Sequence, residues 1–116
     1  MKEIKAYIRT SCLDQTVNAL QDKGAPGITI VTVHPVGYGF GSRFTLRELD
    51  ISKKDYDISK IEMVCDTEDL EKFIDVILAS AHTGASGDGL IFVSDISEAI
   101  KIRTRKRGTK IAILSG

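Results

Sequence analysis

Residues 83–89, TGASGDG, gather Gly84, Gly87 and Gly89 around one carboxylate, Asp88, and lead straight into the apolar run LIFV. Glycine loses more chain entropy on folding than any other residue, so such a cluster marks a sharp turn or a backbone that something must approach closely. Successive amides in a loop of this kind form a concavity that replaces water around an anion. The spacing lacks the Gly-Lys-Ser/Thr of a Walker A loop, and it does not match Gly-x-Gly-x-x-Gly opening a helix. The plainer reading is a tight helix-to-strand connection with Gly84 as the helix terminator. A second anion-binding feature follows, because KIRTRKR, residues 101–107, places five cations in seven positions. Lys101 and Arg103 are expected to alternate on one face of a short extended segment, with Ile102 on the other, so that both converge on one polyanion. Arg105, Lys106 and Arg107 read by default as a solvated run.

Other groups offer less. Glu62, inside KIEMV, shares a strand face with Lys60 and Val64, where it can pair with a cation or accept a hydrogen bond from a ligand. His34 stands beside Pro35 and His82 near a helix end, neither with a Ser, Cys or carboxylate partner at the spacing nucleophilic catalysis uses. Cys12 and Cys65 are far apart and form no Cys-x-x-Cys, so they read as buried structural residues rather than as a metal or redox pair. No hydrolytic or redox constellation emerges, and the chemistry on offer is binding.

These groups need a scaffold, and the hydrophobic periodicity supplies one. IKAYIRT (4–10) alternates as a half-buried strand; in SCLDQTVNALQDKG, Leu13, Val17 and Leu20 recur at helical spacing before Gly24. GITIVTVHPV (27–36) is rich in β-branched residues and ends at Pro35 and Gly37. ISKIEMVC (58–65) alternates again, and DTEDLEKFIDVILASAHTG follows with Leu70, Phe73, Ile74, Ile77 and Leu78 on one helix face. LIFVSDI (90–96) is the fourth strand, SEAI a short helical turn, and KIRT another extended piece. The order β-α-β, long loop, β-α-β predicts an α+β, ferredoxin-like double β-α-β sandwich: an antiparallel sheet with two helices on one face. The other face must then be covered, which predicts oligomerisation. Residues 37–57 are too many for a hairpin, and loops of that length in a compact domain usually carry function.

With 116 residues, 42% of them hydrophobic and 28% charged, the chain is one globular domain, residues 1–116. Sixteen basic residues balance sixteen acidic ones, so net charge points to neither nucleic acid nor a membrane surface. The opening MKEIKAYIRT alternates instead of forming an apolar run, and no stretch approaches a membrane span, so neither a signal peptide nor membrane insertion is expected and the expected location is cytoplasmic.

TGASGDGLIFV followed by EAIKIRT resembles the paired nucleotide-binding loops of the PII signal-transduction family, whose usual wording is close to TGKIGDGKIFV and then IRIRTG. MKEIKAYIR, LDQTVNALQDKGAPGITIVTV and KIEMV also fall where that family places its first strand, first helix with second strand, and third strand. The resemblance implies a homotrimer that binds an adenine nucleotide (ATP, ADP or AMP) in clefts between neighbouring subunits. It further implies a non-enzymatic regulator that controls a membrane transporter or a metabolic enzyme. Carried over by position, Thr29 and Val64 line the adenine side, Glu62 belongs to the cleft, and Gly87, Asp88 and Gly89 approach the phosphates through backbone amides. Arg103 matches a phosphate-binding arginine, Lys101 stands where arginine is usual, and Gly37 opens the long loop that touches targets. Within that loop Tyr38, Phe40, Arg43, Phe44 and Arg47 are the expected partner contacts.

Several positions depart from the family pattern. Tyr38 and Gly39 follow Gly37 where Arg-Gln is usual, removing the glutamine that helps hold magnesium and 2-oxoglutarate and leaving open whether magnesium accompanies the nucleotide. Ile58 and Leu90 stand where the family has an oxoacid-clamping and a phosphate-binding lysine, and Ile51 stands where it has a modified tyrosine, a role that the displaced Tyr56 does not inherit. An apolar side chain cannot replace a charge or a hydroxyl. The expectation is a divergent member without 2-oxoglutarate sensing or uridylylation. Two alternatives stay open: a slow nucleotide hydrolase, for which no general base is placed, and a metal-tolerance-type trimer of the same fold, for which no Cys/His cluster exists.

Overall fold

The computed structural model describes residues 1–36 and 58–115. The long segment 37–57, with Gly37, Tyr38, Phe40, Arg43, Phe44 and Arg47, lies outside the described residues.

Strand β1 (Lys2–Arg9) alternates as its sequence dictates: Ile4, Ala6 and Ile8 are buried, while Glu3, Lys5 and Tyr7 face the other way. Helix α1 (Leu13–Asp22) follows a 3-10 turn at Thr10–Cys12, and Gly24, at φ +81°, carries the chain out of it. Only glycine adopts that backbone conformation without steric penalty. Strand β2 (Ile28–Val33) and strand β3 (Ile58–Cys65) come next, then a 3-10 turn at Thr67–Asp69, helix α2 (Leu70–Ala81) and strand β4 (Gly89–Asp95). Glu68, Asp69 and Glu71 sit at the start of α2, where negative charge complements the helix dipole.

The four strands form one sheet in the order β2-β3-β1-β4, every neighbouring pair antiparallel. This is the expected ferredoxin-like double β-α-β arrangement. One face of β1 and β3, carrying Ile4, Ala6, Ile8, Ile61, Met63 and Cys65, packs with Leu20 of α1 and with Phe73, Ile77 and Ala81 of α2. Each fully buried large side chain in that layer contributes about 1.5–3 kcal/mol relative to leaving it in water. Both cysteines are buried and free, and burial pushes the Cys65 thiol pKa up.

Four sequence expectations change. Helix α2 ends at Ala81, because His82 is already extended, so Gly84 (φ +87°) belongs to the loop beyond and is not the terminator. Leu78 is 57% exposed, since it lies on the α2 flank that β4 leaves uncovered, and Val93 lines the same groove. SEAI is not helical: strand β5 (Ala99–Ile100) pairs with strand β6 (Arg107–Gly108) in a small hairpin. KIRT is not extended either, for residues 102–104 turn at the hairpin tip, Arg105 N donating to Lys101 O at 2.7 Å. A turn has no two-residue alternation, so Lys101 and Arg103 do not share a strand face.

Among the described residues no helix is long and apolar enough to cross a membrane. A final 3-10 turn, Ile111–Leu114, folds back against the β5-β6 hairpin.

Candidate functional site

The glycine loop is organised from within. Asp88 Oδ2 accepts the amides of Thr83 at 2.9 Å and Gly84 at 3.0 Å, and Asp88 Oδ1 accepts the Thr83 hydroxyl. Arg9, at the end of β1, reaches across: its Nε donates to Asp88 Oδ1 at 3.2 Å and its Nη2 to Ser86 O at 2.7 Å. The Thr83 hydroxyl, the Thr83 and Gly84 amides and the Arg9 guanidinium together hold the Asp88 carboxyl well below the usual carboxylate range. Asp88 therefore shapes the loop with its side chain. Gly87 (φ +96°) and Gly89 (φ +110°) have left-handed backbones, and a Cβ on Gly89 would overlap the carbonyl of Tyr7. The glycines let β4 lie tight against β1 as it leaves the loop.

The open face of the sheet holds the remaining groups. Register puts Thr29 opposite Glu62, and Tyr7 between Lys60 and Leu90. Lys60 Nζ pairs with Glu62 Oε1 at 2.7 Å; this hydrogen bond raises the lysine pKa and lowers the glutamate pKa. The Tyr7 ring meets Phe92 edge-on, centroids 5.9 Å apart, and Lys60 Nζ lies 5.9 Å from the Tyr7 centroid. Tyr7, Leu90 and Phe92 line an apolar pocket with Val33, His34, Pro35 and Val36. Ile58, for which the resemblance leads one to expect a lysine, is buried at the start of β3 opposite Arg9.

Strand register separates the expected site residues into two groups. Gly87, Asp88, Gly89 and Leu90 lie at the end of the sheet where Ile8 and Arg9 finish β1. Thr29, Glu62 and Val64 line a second pocket of ≈ 290 Å³ with Glu3, Pro26, Gly27, Ile28, Met63 and Leu114. Val64 lies toward the opposite end, where Lys2 pairs with Cys65 and Asp95, and Thr29, opposite Glu62 and in line with Lys5, lies at mid-sheet. The hairpin carrying Lys101 and Arg103 follows β4 at that opposite end as well, for Ile96 N donates to Met1 O at 3.0 Å. The seven residues of β4, at about 3.4 Å each, hold the glycine loop and the basic hairpin about 20 Å apart in one chain. The glycine loop and the basic hairpin thus lie beyond opposite ends of β4.

Sequence reasoning missed Arg9, Tyr7 and Leu114. Arg9 and Tyr7 close an alternating strand and look like ordinary strand residues, and only the β1–β4 register brings them to the loop. Leu114 lies in a short apolar stretch with no periodic signal. Among the described residues no three His, Cys, Asp or Glu side chains gather as a metal site would require.

The family model described as "Nitrogen regulatory protein P-II" matches residues 1–106. The chain belongs to the nitrogen regulatory protein P-II family. It is 38% identical over 110 residues to "Nitrogen regulatory protein P-II 2" of Methanothermobacter thermautotrophicus, covering 95% of this chain and 96% of that protein. It is 40% identical over 108 residues to "Nitrogen regulatory protein P-II" of Bradyrhizobium diazoefficiens, covering 93% and 96%. With the protein of the same description from Nostoc punctiforme it shares 34% identity over 110 residues, 95% and 98% of the two chains. These P-II relatives are described as regulatory proteins, and the two groups of the candidate site both lie on the part of the chain that the P-II family model spans, Leu114 excepted.

Proposed function

We propose that this P-II family chain is a non-enzymatic, cytoplasmic signalling protein that binds an adenine nucleotide in clefts between the subunits of a homotrimer. Through residues 37–57 it controls a membrane transporter or a metabolic enzyme. One observation supports the reading: the glycine loop lies at one end of the sheet and the Thr29–Glu62–Val64 pocket runs from mid-sheet toward the other, so we take each as half of a site. A rotational assembly in which the loop end of one copy meets the pocket end of the next completes both halves at every interface. The exposed Ile30 and Val31 on edge strand β2, and Phe92 and Val93 on edge strand β4, supply apolar surface for such an assembly.

In the assembled cleft, Thr29 and Val64 border the base and Glu62, held by Lys60, accepts a hydrogen bond from it. The backbone of residues 87–89 and the cations Lys101 and Arg103 serve the phosphates. Leu90 contributes apolar surface where the family's lysine would contribute charge, so affinity is reduced most for the most highly charged phosphate chain. ADP or AMP then binds as well as ATP. In sequence Gly37 opens the 37–57 segment, and a nucleotide that contacts both the cleft and the base of that segment changes partner affinity. Ile58, Ile51 and Gly39 leave 2-oxoglutarate sensing and uridylylation without their side chains.

Nucleotide-dependent melting followed by a turnover assay tests this reading. A stabilising shift with ATP, ADP or AMP and no product is the expected result. Steady hydrolysis, or no shift with any of the three, overturns it. Pull-down with and without each nucleotide then identifies the partner.

A further inference from the structure

The pocket lined by Thr29, Glu62 and Val64 takes one wall from the far end of the chain, Leu114. The P-II family match stops at residue 106, so this wall is built by residues beyond it. Residues 107–115 are tied down throughout. Arg107 grips both carboxylate oxygens of Glu98, Lys110 pairs with Glu68, and Ile111 N donates to Asp66 Oδ1 at 2.8 Å. Ile113 covers Gly108 so closely that a Cβ there would meet Ile113 Cδ1 at 3.1 Å, and Lys101 Nζ donates to Ser115 O at 3.3 Å. The segment is thus fastened to the start of α2 at one end and to the β5-β6 hairpin at the other.

We infer that residues 109–115 form a strap, latched by Lys110 to Glu68 and by Ile111 to Asp66, that places Leu114 as a ligand-contacting wall of the Thr29–Glu62–Val64 pocket. A cavity of ≈ 290 Å³ persists beside the docked strap, so the strap acts together with a ligand and not in its place. Pro26, Val64 and Leu114 offer apolar walls, and the Thr29 hydroxyl and Glu62 carboxylate offer acceptors. That combination fits a flat ring with a hydrogen-bond-donating edge, such as an aminopurine; this choice of ligand rests on the nucleotide reading above. Leu114 is 46% exposed, leaving apolar surface for a ligand to cover. Each therefore favours the other: a docked strap strengthens ligand binding, and a bound ligand strengthens docking.

The test titrates ADP calorimetrically into the full chain, with hydrogen exchange of residues 109–115 followed with and without ADP. Leu114→Ala is expected to weaken ADP binding about three- to tenfold through lost apolar contact. Lys110→Glu sets like charges face to face; it weakens ADP binding by a smaller factor, and adding Glu68→Lys restores it. In the wild type, ADP slows exchange of the Ile111 amide. Wild-type affinity in Leu114→Ala and Lys110→Glu, no rescue by the charge swap, or exchange indifferent to ADP overturns the strap. A wild type that binds no ADP contradicts the nucleotide reading instead. The strap is then judged without ligand: Lys110→Glu must speed exchange of the Ile111 amide, and an unchanged rate overturns it.

Discussion

Arg9 and Asp88 are 79 positions apart in the chain, yet Arg9 Nε lies 3.2 Å from Asp88 Oδ1. Through this contact the last residue of β1 sets the shape of the glycine loop, because the carboxylate it holds also gathers the amides of Thr83 and Gly84. Arg9→Ala is expected to loosen residues 83–89 and to lower nucleotide affinity about three- to tenfold, since a binding loop is only as well placed as the residues that brace it. Arg9→Lys keeps the charge but loses the fork that spans Asp88 and Ser86, so it recovers only part of the loss. Calorimetry with hydrogen exchange on the loop checks both variants; intact affinity in Arg9→Ala contradicts the bracing role.

The same carboxylate predicts a pH dependence. The folded pKa of Asp88 is depressed, by Thr83 first and then by the Gly84 amide and Arg9, so the folded state binds fewer protons than the unfolded chain once pH drops into the carboxylate range. Its stabilising effect is fully present above the unfolded value of about 3.9 and is lost as pH falls below it toward the folded value. Asp88→Asn removes that part of the slope. Urea melts of wild type and Asp88→Asn at pH 6 and pH 3 are expected to differ more at pH 6; an equal difference at both contradicts the assignment.

The loop glycines are unequal. A Cβ on Gly89 would overlap the Tyr7 carbonyl at a φ of +110°, so Gly89→Ala is expected to cost about 3 kcal/mol or more by pushing β4 away from β1. At Gly84 the nearest atom to a new Cβ is His82 Cε1 at 3.7 Å, leaving only the left-handed backbone penalty of about 1–2 kcal/mol. Denaturant melts of the two variants check the order, and equal destabilisation contradicts it.

Much of this was legible in the sequence. The periodicities of 4–10, 13–20, 58–65 and 70–77 place the elements of the sheet and its helices, because one face of each is buried and the pattern records which. The tail was misread for a physical reason: in KIRTRKR a turn and a strand look alike, and the turn is settled by Arg105 donating to Lys101 and by Glu98 capturing Arg107. The sequence assigns Asp88 a backbone role toward a phosphate and is silent on its side chain, which binds its own loop, a role that depends on Arg9 arriving from a distant strand. Leu114 had no signature at all, since a short apolar stretch states neither where it packs nor against what.

Leu90 sits on the open face opposite Tyr7, beside the glycine loop, and brings no charge of its own. Leu90→Lys adds one, and is expected to raise ATP affinity about tenfold relative to AMP, the gain of one charge-assisted hydrogen bond. Titration of both nucleotides into the variant reads this ratio; no change in it contradicts the place given to Leu90.

Calorimetric titration of ATP, ADP and AMP into the unaltered chain reads out nucleotide sensing itself. Saturable binding at one nucleotide per chain, with ATP no tighter than ADP, is the predicted result. Absence of binding by all three contradicts nucleotide sensing, and a clear preference for ATP contradicts the weakened phosphate site.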